Sequence, residues 1–82
     1  MNKEYFLGEI SFIISGLLSL QNLNISFNTK LDEIEDWDSL AKIQLVFELE
    51  RKFDKKFSAE EIQNWIFIND IYNSLTANLT LS

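Results

Sequence analysis

Carboxylates crowd one short segment of this chain. Five of the 13 acidic residues lie between positions 32 and 38, within the run LDEIEDWDSL at 31–40. Carboxylate clusters can bind Ca²⁺, but this spacing lacks the glycine and the terminal bidentate glutamate of an EF-hand loop. A carboxylate pair for glycoside hydrolysis needs a cleft, which we do not expect in a small helical domain. Acids placed just before a helix instead complement its dipole, and the segment ends in a serine that could begin one.

The composition excludes several kinds of chemistry. The chain has no histidine and no cysteine, so it cannot supply an imidazole base, a thiol nucleophile or a disulfide. No base or oxyanion constellation is visible, and we therefore do not expect an enzyme. A net charge of -6 argues against nucleic acid and anionic membranes as partners and favours proteins with basic surfaces.

An amphipathic helix is predicted near the N-terminus. Phe6, Ile10, Ile13, Leu17 and Leu20 follow one another at steps of three or four residues, as the apolar face of a helix requires. The stretch is too short to span a membrane, and no A-x-A-like cleavage site follows it. We therefore expect a cytoplasmic protein rather than an exported one. We also expect it to be a monomer.

The elements that position the acidic segment follow from capping signals. Residues 21–37 lose the helical rhythm and read as a long loop, with Leu31 and Ile34 as its apolar anchors. A second helix is predicted to begin at Asp38 or Ser39 and to run to Phe53, because both residue types are good N-caps.

Two further helices complete the prediction. The capping-box pattern SAEE at 58–61 opens a short third helix extending to Trp65, and Asn69 or Asp70 caps the last one. The run IFI at 66–68 is interpreted as a buried connection, with Trp65, Phe67 and Tyr72 in the core. The fold class expected is all-α: one domain over residues 1–82, a four-helix bundle with a long first loop and a short third helix.

A second apolar stripe distinguishes the helix that follows the acids. Leu45, Leu49 and Phe53 form its core stripe, whereas Leu40, Ile43 and Phe47 fall on another side. A helix packed on one core does not need this stripe. It could be buried in a bundle on two sides, or it could contact a partner or a lipid-like cargo.

These residues resemble the acyl carrier protein family. The resemblance rests on DSL at 38–40 opening a helix, within the run WDSLAKIQLVFELE at 37–50. It extends to TKL at 29–31 with Ile34, to FD and FSAEE between 53 and 61, and to INDIY at 68–72, and so covers residues 5–76. It implies the four-helix carrier fold named above.

The resemblance also implies a function. Ser39 would be the attachment site of 4'-phosphopantetheine, transferred from coenzyme A by a phosphopantetheinyl transferase, with Asp38 and Leu40 as the flanking motif. The arm would carry an acyl group as a thioester and present it to ligase-type or synthase-type enzymes with basic docking surfaces. The surface for partner and cargo would comprise Trp37, Ile43, Phe47, Glu48 and Glu50.

Departures from the family pattern refine this expectation. Members in fatty acid synthesis mostly have a glycine-containing turn before the motif, whereas Trp37 precedes Asp38 here, as in stand-alone carriers of specialised pathways. Phe47 is bulkier than the usual residue near the pocket mouth, and we hypothesise that it limits sequestration of long acyl chains.

Three interpretations therefore stay open. The first is an acyl carrier protein, and the second is a peptidyl or aminoacyl carrier, which would share the arm and the fold. The third is a small helical adaptor that docks through Leu40, Ile43 and Phe47. In that case Ser39 would not be used covalently; separately, Ser39 could simply be the N-cap of the second helix.

Overall fold

Helices form in the order that the sequence predicts. The computed structural model describes residues 2–21 and 23–77. Over those residues it contains four α-helices and no strand: α1 Lys3–Leu18, α2 Ser39–Phe53, α3 Ala59–Gln63 and α4 Ile68–Ala77. A 3₁₀ turn at Leu31–Glu33 interrupts the long loop between α1 and α2. The prediction of an all-α fold with four helices, a long first loop and a short third helix is confirmed.

Helix α1 supplies one wall of the core. Its first turn is capped by the Asn2 side chain, which accepts a hydrogen bond from the Tyr5 amide at 2.9 Å. Phe6, Ile10 and Ile14 are buried along one face, and Ile13 and Leu17 are partly buried against the core. The predicted amphipathic helix is therefore confirmed, but it ends at Leu18, before Leu20. None of the helices in the described parts of the chain is long and apolar enough to cross a bilayer.

Helix α2 lies against α1 through its buried Leu45 and Leu49. Near its C-terminal end the Phe53 ring packs on Phe6, with ring centroids 5.5 Å apart. Lys52 forms an ion pair with Glu9 of α1, and this interaction raises the pKa of the Lys52 ammonium. These contacts fix α2 along its length, so the position of its N-terminus is determined by the core.

The long loop is attached to the start of α4 by main-chain hydrogen bonds. The Leu31 amide donates to the Ile66 carbonyl, and the Ile68 amide donates to the Thr29 carbonyl, both at 2.9 Å. Leu31 and Ile34 are buried, which confirms their predicted role as anchors. We call these bonds, together with the isolated antiparallel bridge between residues 30 and 67, the loop clamp.

The region between α3 and α4 differs from the prediction. Helix α3 ends at Gln63, and α4 begins at Ile68 rather than after a cap at Asn69 or Asp70. The Asp70 carboxylate lies in the first turn of α4 and accepts hydrogen bonds from the Ile66 and Phe67 amides at 2.9 and 2.8 Å. The Asp70 side chain, inside the helix, therefore caps the two main-chain amides that immediately precede the helix.

Ile66 and Phe67 are exposed, so the prediction that residues 66–68 form a wholly buried connection is wrong for these two, and Phe67 is not part of the core. Ile68 and Trp65 are buried, and Tyr72 packs against the core from its edge. The Trp65 indole N–H donates to the Ser74 hydroxyl at 2.9 Å, which satisfies a polar group that the core would otherwise leave unpaired.

Candidate functional site

Asp38 caps helix α2. Its backbone is extended, with φ -146°, and its carboxylate accepts a hydrogen bond from the Ala41 amide at 2.8 Å. Ser39 is the first residue of the helix and follows the cap. The interpretation of Ser39 as the helix cap is therefore wrong, because the neighbouring carboxylate performs that task.

The Ser39 side chain is left without a structural task. It is exposed, and its hydroxyl makes no hydrogen bond with any residue that the structure describes. It stands at the positive end of a 15-residue helix, where main-chain amides of the first turn have no acceptor within the helix. An anion attached to this oxygen would meet favourable partial charges.

Two surface grooves meet at Ser39. The first, of about 330 Å³, lies between α2 and α3 and is lined by Ser39, Lys42, Ile43, Val46, Phe47, Ile62 and Gln63. The second, of about 290 Å³, lies between the long loop and the connection to α4, with Asp32, Trp37, Asp38, Ser39, Lys42 and Ile66 in its lining. A group attached to Ser39 could therefore extend along either side of the N-terminus of α2.

The second apolar stripe of α2 faces solvent. Leu40, Ile43 and Phe47 are 62%, 53% and 66% exposed, which shows that the fold does not use these side chains for its core. Trp37 is half-buried at the start of the stripe. Ile66 adds a further exposed apolar side chain across the second groove. Large exposed apolar side chains that lie together are typical of interaction surfaces.

Acidic residues border this apolar surface on the loop side. Asp32, Glu33, Glu35 and Asp36 are exposed, and the Glu33 carboxylate also accepts a hydrogen bond from the Lys30 amide at 3.1 Å. No group of acidic side chains in the described residues is arranged to hold a metal ion. The exposed carboxylates give this side a negative potential that would attract basic proteins.

The two glutamates predicted for the partner surface differ from each other. Glu48 is partly exposed and pairs with Arg51 one turn later. Glu50 has a side chain that is only 15% exposed, and its carboxylate accepts a hydrogen bond from the Phe57 amide at 2.9 Å. Because Glu50 binds the main chain that follows the C-terminal end of α2, we do not include it in the proposed surface.

Lys42 and Ile66 are among the groove-lining residues that the site prediction missed. Lys42 lines both grooves, and its position three residues after Ser39 could have indicated that they share a face. Ile66 comes to the site through the loop clamp, which pairs residues far apart in sequence, and no local pattern indicates that pairing.

Comparisons with known proteins agree with this geometry. A scan of protein-family models finds no match. Two acyl carrier proteins, from Onion yellows phytoplasma (strain OY-M) and Aster yellows witches'-broom phytoplasma (strain AYWB), are each 33% identical to this chain over 70 residues, which cover 85% of the chain and 92% of the relative. The chain belongs to the acyl carrier protein family.

A solved structure supports the same assignment. It is described as a candidate acyl carrier protein from Mycobacterium tuberculosis, with a TM-score of 0.79 and 30% identity, and the match covers 88% of this chain and 96% of that one. The family identity suggested by the DSL motif is thus confirmed, and with it the carrier fold.

Proposed function

We propose that this acyl carrier protein functions through 4'-phosphopantetheine attached to Ser39. The observation that carries the proposal is the division of tasks at the start of α2. Asp38 caps the helix through the Ala41 amide, and the Ser39 hydroxyl is left exposed and unbonded among the described residues. A hydroxyl in that state is available to a transferase at little cost to folding.

The residues present fit the group. Main-chain amides in the first turn of α2 would receive the phosphodiester, and the helix dipole favours its charge. When bound, the arm supplies a thiol that can hold an acyl group as a thioester, in a chain that has no cysteine of its own. The protein's part is to bind the arm, expose it and orient it; we propose no turnover by the protein itself.

We further propose that Trp37, Leu40, Ile43, Phe47 and Glu48 form the docking surface for partner enzymes. The exposure of the apolar members and the carboxylates at 32–38 support this surface. Its partners would be a phosphopantetheinyl transferase and acyl ligases or synthases that present basic residues. Trp37 before the motif favours a specialised pathway. We propose that the protein acts in the cytoplasm.

The decisive experiment measures the intact mass of the protein after modification. The protein is incubated with coenzyme A, Mg²⁺ and a broad-specificity phosphopantetheinyl transferase. We expect a mass gain of one phosphopantetheine, which disappears in Ser39→Ala. Ser58→Ala is the control, because it removes a hydroxyl at the start of another helix, where Ser58 caps α3.

No mass gain with several transferases would contradict the proposal and would leave the adaptor interpretation. If the mass gain is observed, loading of the modified protein by candidate ligases distinguishes acyl cargo from aminoacyl cargo.

The docking surface is tested with two phenylalanines of similar exposure. Phe47 is 66% exposed on α2 and Phe12 is 75% exposed on α1. We expect Phe47→Ala to lower kcat/KM of the transferase by about fivefold or more, as loss of an interface anchor does. Phe12→Ala should leave kcat/KM unchanged. An equal loss in both variants would contradict the assignment of the surface to α2.

A further inference from the structure

Within the residues that the structure describes, the seven basic side chains divide into six that have a partner and one that has none. Four of the six bind carboxylates or a carbonyl, and two lie over aromatic rings. The six are Arg51 with Glu48, Lys52 with Glu9, Lys56 with Glu50, Lys55 with the Ser74 carbonyl, Lys3 over Phe27 and Tyr72, and Lys30 over Phe67. Lys42 alone has no ion pair, side-chain hydrogen bond or ring contact within residues 2–21 and 23–77.

Lys42 lies at the proposed attachment site. Its main-chain amide donates to the Asp38 carbonyl at 3.1 Å, so it stands one turn above the cap. Three residues separate it from Ser39, which places the two side chains on neighbouring positions of one helix face. It lines both grooves that meet at Ser39, and no other basic residue is found in either lining.

The charges around Ser39 are mostly negative, and Lys42 is the positive charge among them. Asp32 and Asp38 line the second groove, and Glu35 and Asp36 are exposed in the same segment. A phosphodiester on Ser39 would bring another negative charge into this region, where like charges disfavour one another. An ammonium group one turn away offsets that repulsion, and a lysine engaged elsewhere in the fold could not do so.

We propose that Lys42 is a phosphate-binding residue of this carrier, whose ammonium group binds the phosphodiester formed on Ser39 and holds the root of the arm between the two grooves. The inference rests on the proposed function, because it requires the arm to be attached at Ser39. It assigns Lys42 a positioning role toward the arm. As a consequence, we expect the phosphodiester end of the arm to tumble with the protein and not to move independently of it.

The experiment compares apo and modified protein by NMR, without any partner enzyme. Lysine side-chain resonances and the ³¹P signal of the arm are recorded for the wild type, Lys42→Gln and Lys56→Gln. The Lys56 variant is the matched control, because it removes one positive charge from the opposite end of α2 and from a side chain that is 91% exposed. Intact mass confirms that each sample carries the arm.

We expect modification of the wild type to shift the Lys42 side-chain resonances more than those of any other lysine. The ³¹P line should be narrower in Lys42→Gln than in the wild type and in Lys56→Gln. Raising the salt concentration from about 20 mM to about 500 mM should narrow the wild-type line, since exposed ion pairs are screened. Modification should also raise Tm by about 2 °C more in the wild type than in Lys42→Gln.

Unchanged Lys42 resonances in a fully modified protein would overturn this inference and leave the proposed function intact. The inference would also be overturned if Lys42→Gln slowed modification by the transferase without altering the ³¹P line, because Lys42 would then contact the enzyme or coenzyme A. Failure of the wild type to gain the arm would instead overturn the proposed function itself.

Discussion

At the scale of single residues, Asp38 and Ser39 separate two tasks that either residue type could perform. Aspartate and serine are comparably good N-caps, so their order in the motif matters. Asp38 is the cap, with its carboxylate on the Ala41 amide, and Ser39 follows as the first helical residue. The proposed site thus combines a rigid helix start with a hydroxyl that the helix does not need.

The first prediction concerns this cap. Asp38→Ala should lower the free energy of unfolding by about 1 kcal/mol, because the Ala41 amide loses its acceptor. Asp38→Asn should retain most of that free energy, since its amide oxygen can accept the same hydrogen bond. Urea denaturation of the three proteins provides the measurement. Equal stability of the wild type and Asp38→Ala would show that this hydrogen bond contributes nothing.

The second prediction concerns Glu61 in the cap of α3. The Ser58 amide donates to the Glu61 carboxylate at 2.9 Å and lowers the pKa of that carboxyl below its ordinary value of 4.5. A carboxyl with a lowered pKa in the folded state stabilises the protein above its ordinary pKa. That stabilisation is lost as the pH falls through the lowered value.

We therefore expect the wild type to lose Tm more steeply than Glu61→Gln as the pH falls below about 4.5, measured by thermal scans at several pH values. Parallel pH profiles would contradict this expectation. Glu60→Gln is a suitable control, because Glu60 lies in the same turn but is exposed.

At the scale of elements, one buried hydrogen bond joins the segment between α3 and α4 to α4 itself. The Trp65 indole donates to the Ser74 hydroxyl, and the Lys55 ammonium donates to the carbonyl of the same serine at 2.8 Å. Ser74 is thus a junction for the end of α2, the α3–α4 connection and α4. Serine inside a helix is otherwise a neutral to unfavourable choice, which suggests that the junction explains it.

The third prediction tests this junction. Ser74→Ala leaves the buried indole N–H without an acceptor, and we expect it to cost about 1–3 kcal/mol in the free energy of unfolding. The same substitution in a Trp65→Phe background should cost clearly less, because the unsatisfied donor is absent there. Chemical denaturation of the wild type, the two single variants and the double variant gives the coupling free energy between Trp65 and Ser74. A coupling free energy of zero would mean that the hydrogen bond does not hold the elements together.

The elements could be predicted wherever a local signal specifies them. The spacing of Phe6 and Ile10 gives α1, and the capping box at Ser58 gives the start of α3. The second apolar stripe from Leu40 to Phe47 also follows from periodicity, but its exposure does not, because a bundle can bury a helix on two sides.

The remaining features depend on pairing across the chain. Ile66 and Phe67 have strongly apolar side chains, yet they are exposed, in a segment that the clamp binds to the long loop through the Ile66 carbonyl and the Ile68 amide. Glu50 falls on a partly exposed turn of α2, yet the Phe57 amide draws its carboxylate inward. Contacts between separate segments of the chain, such as these, leave no mark in sequence spacing.

At the scale of the whole molecule, negative charge is distributed unevenly. Thirteen acidic residues oppose seven basic ones, and the segment at 32–38 holds five of the acids. Several basic residues near the end of α2 are paired with acids, so the loop before α2 retains the uncompensated charge. Self-repulsion of this kind opposes the compact state.

The fourth prediction follows from this distribution. Raising NaCl from about 10 mM to about 200 mM should increase the Tm of the wild type, because added ions screen repulsion between the carboxylates. The increase should be smaller in the double variant Asp32→Asn, Glu35→Gln, since both carboxylates are exposed. Thermal scans at the two salt concentrations measure the difference. An identical increase in both proteins would locate the repulsion elsewhere.

The loop clamp has a consequence for the order in which the molecule is assembled. It brings residues 30 and 67 together and so closes the stretch of chain that contains α2, α3 and Ser39. Closing a stretch of that length costs chain entropy before its contacts are formed, so the clamp and the enclosed helices are expected to order together rather than in sequence. The surroundings of Ser39, including Ile66 across the groove, are therefore complete only in a fully folded chain.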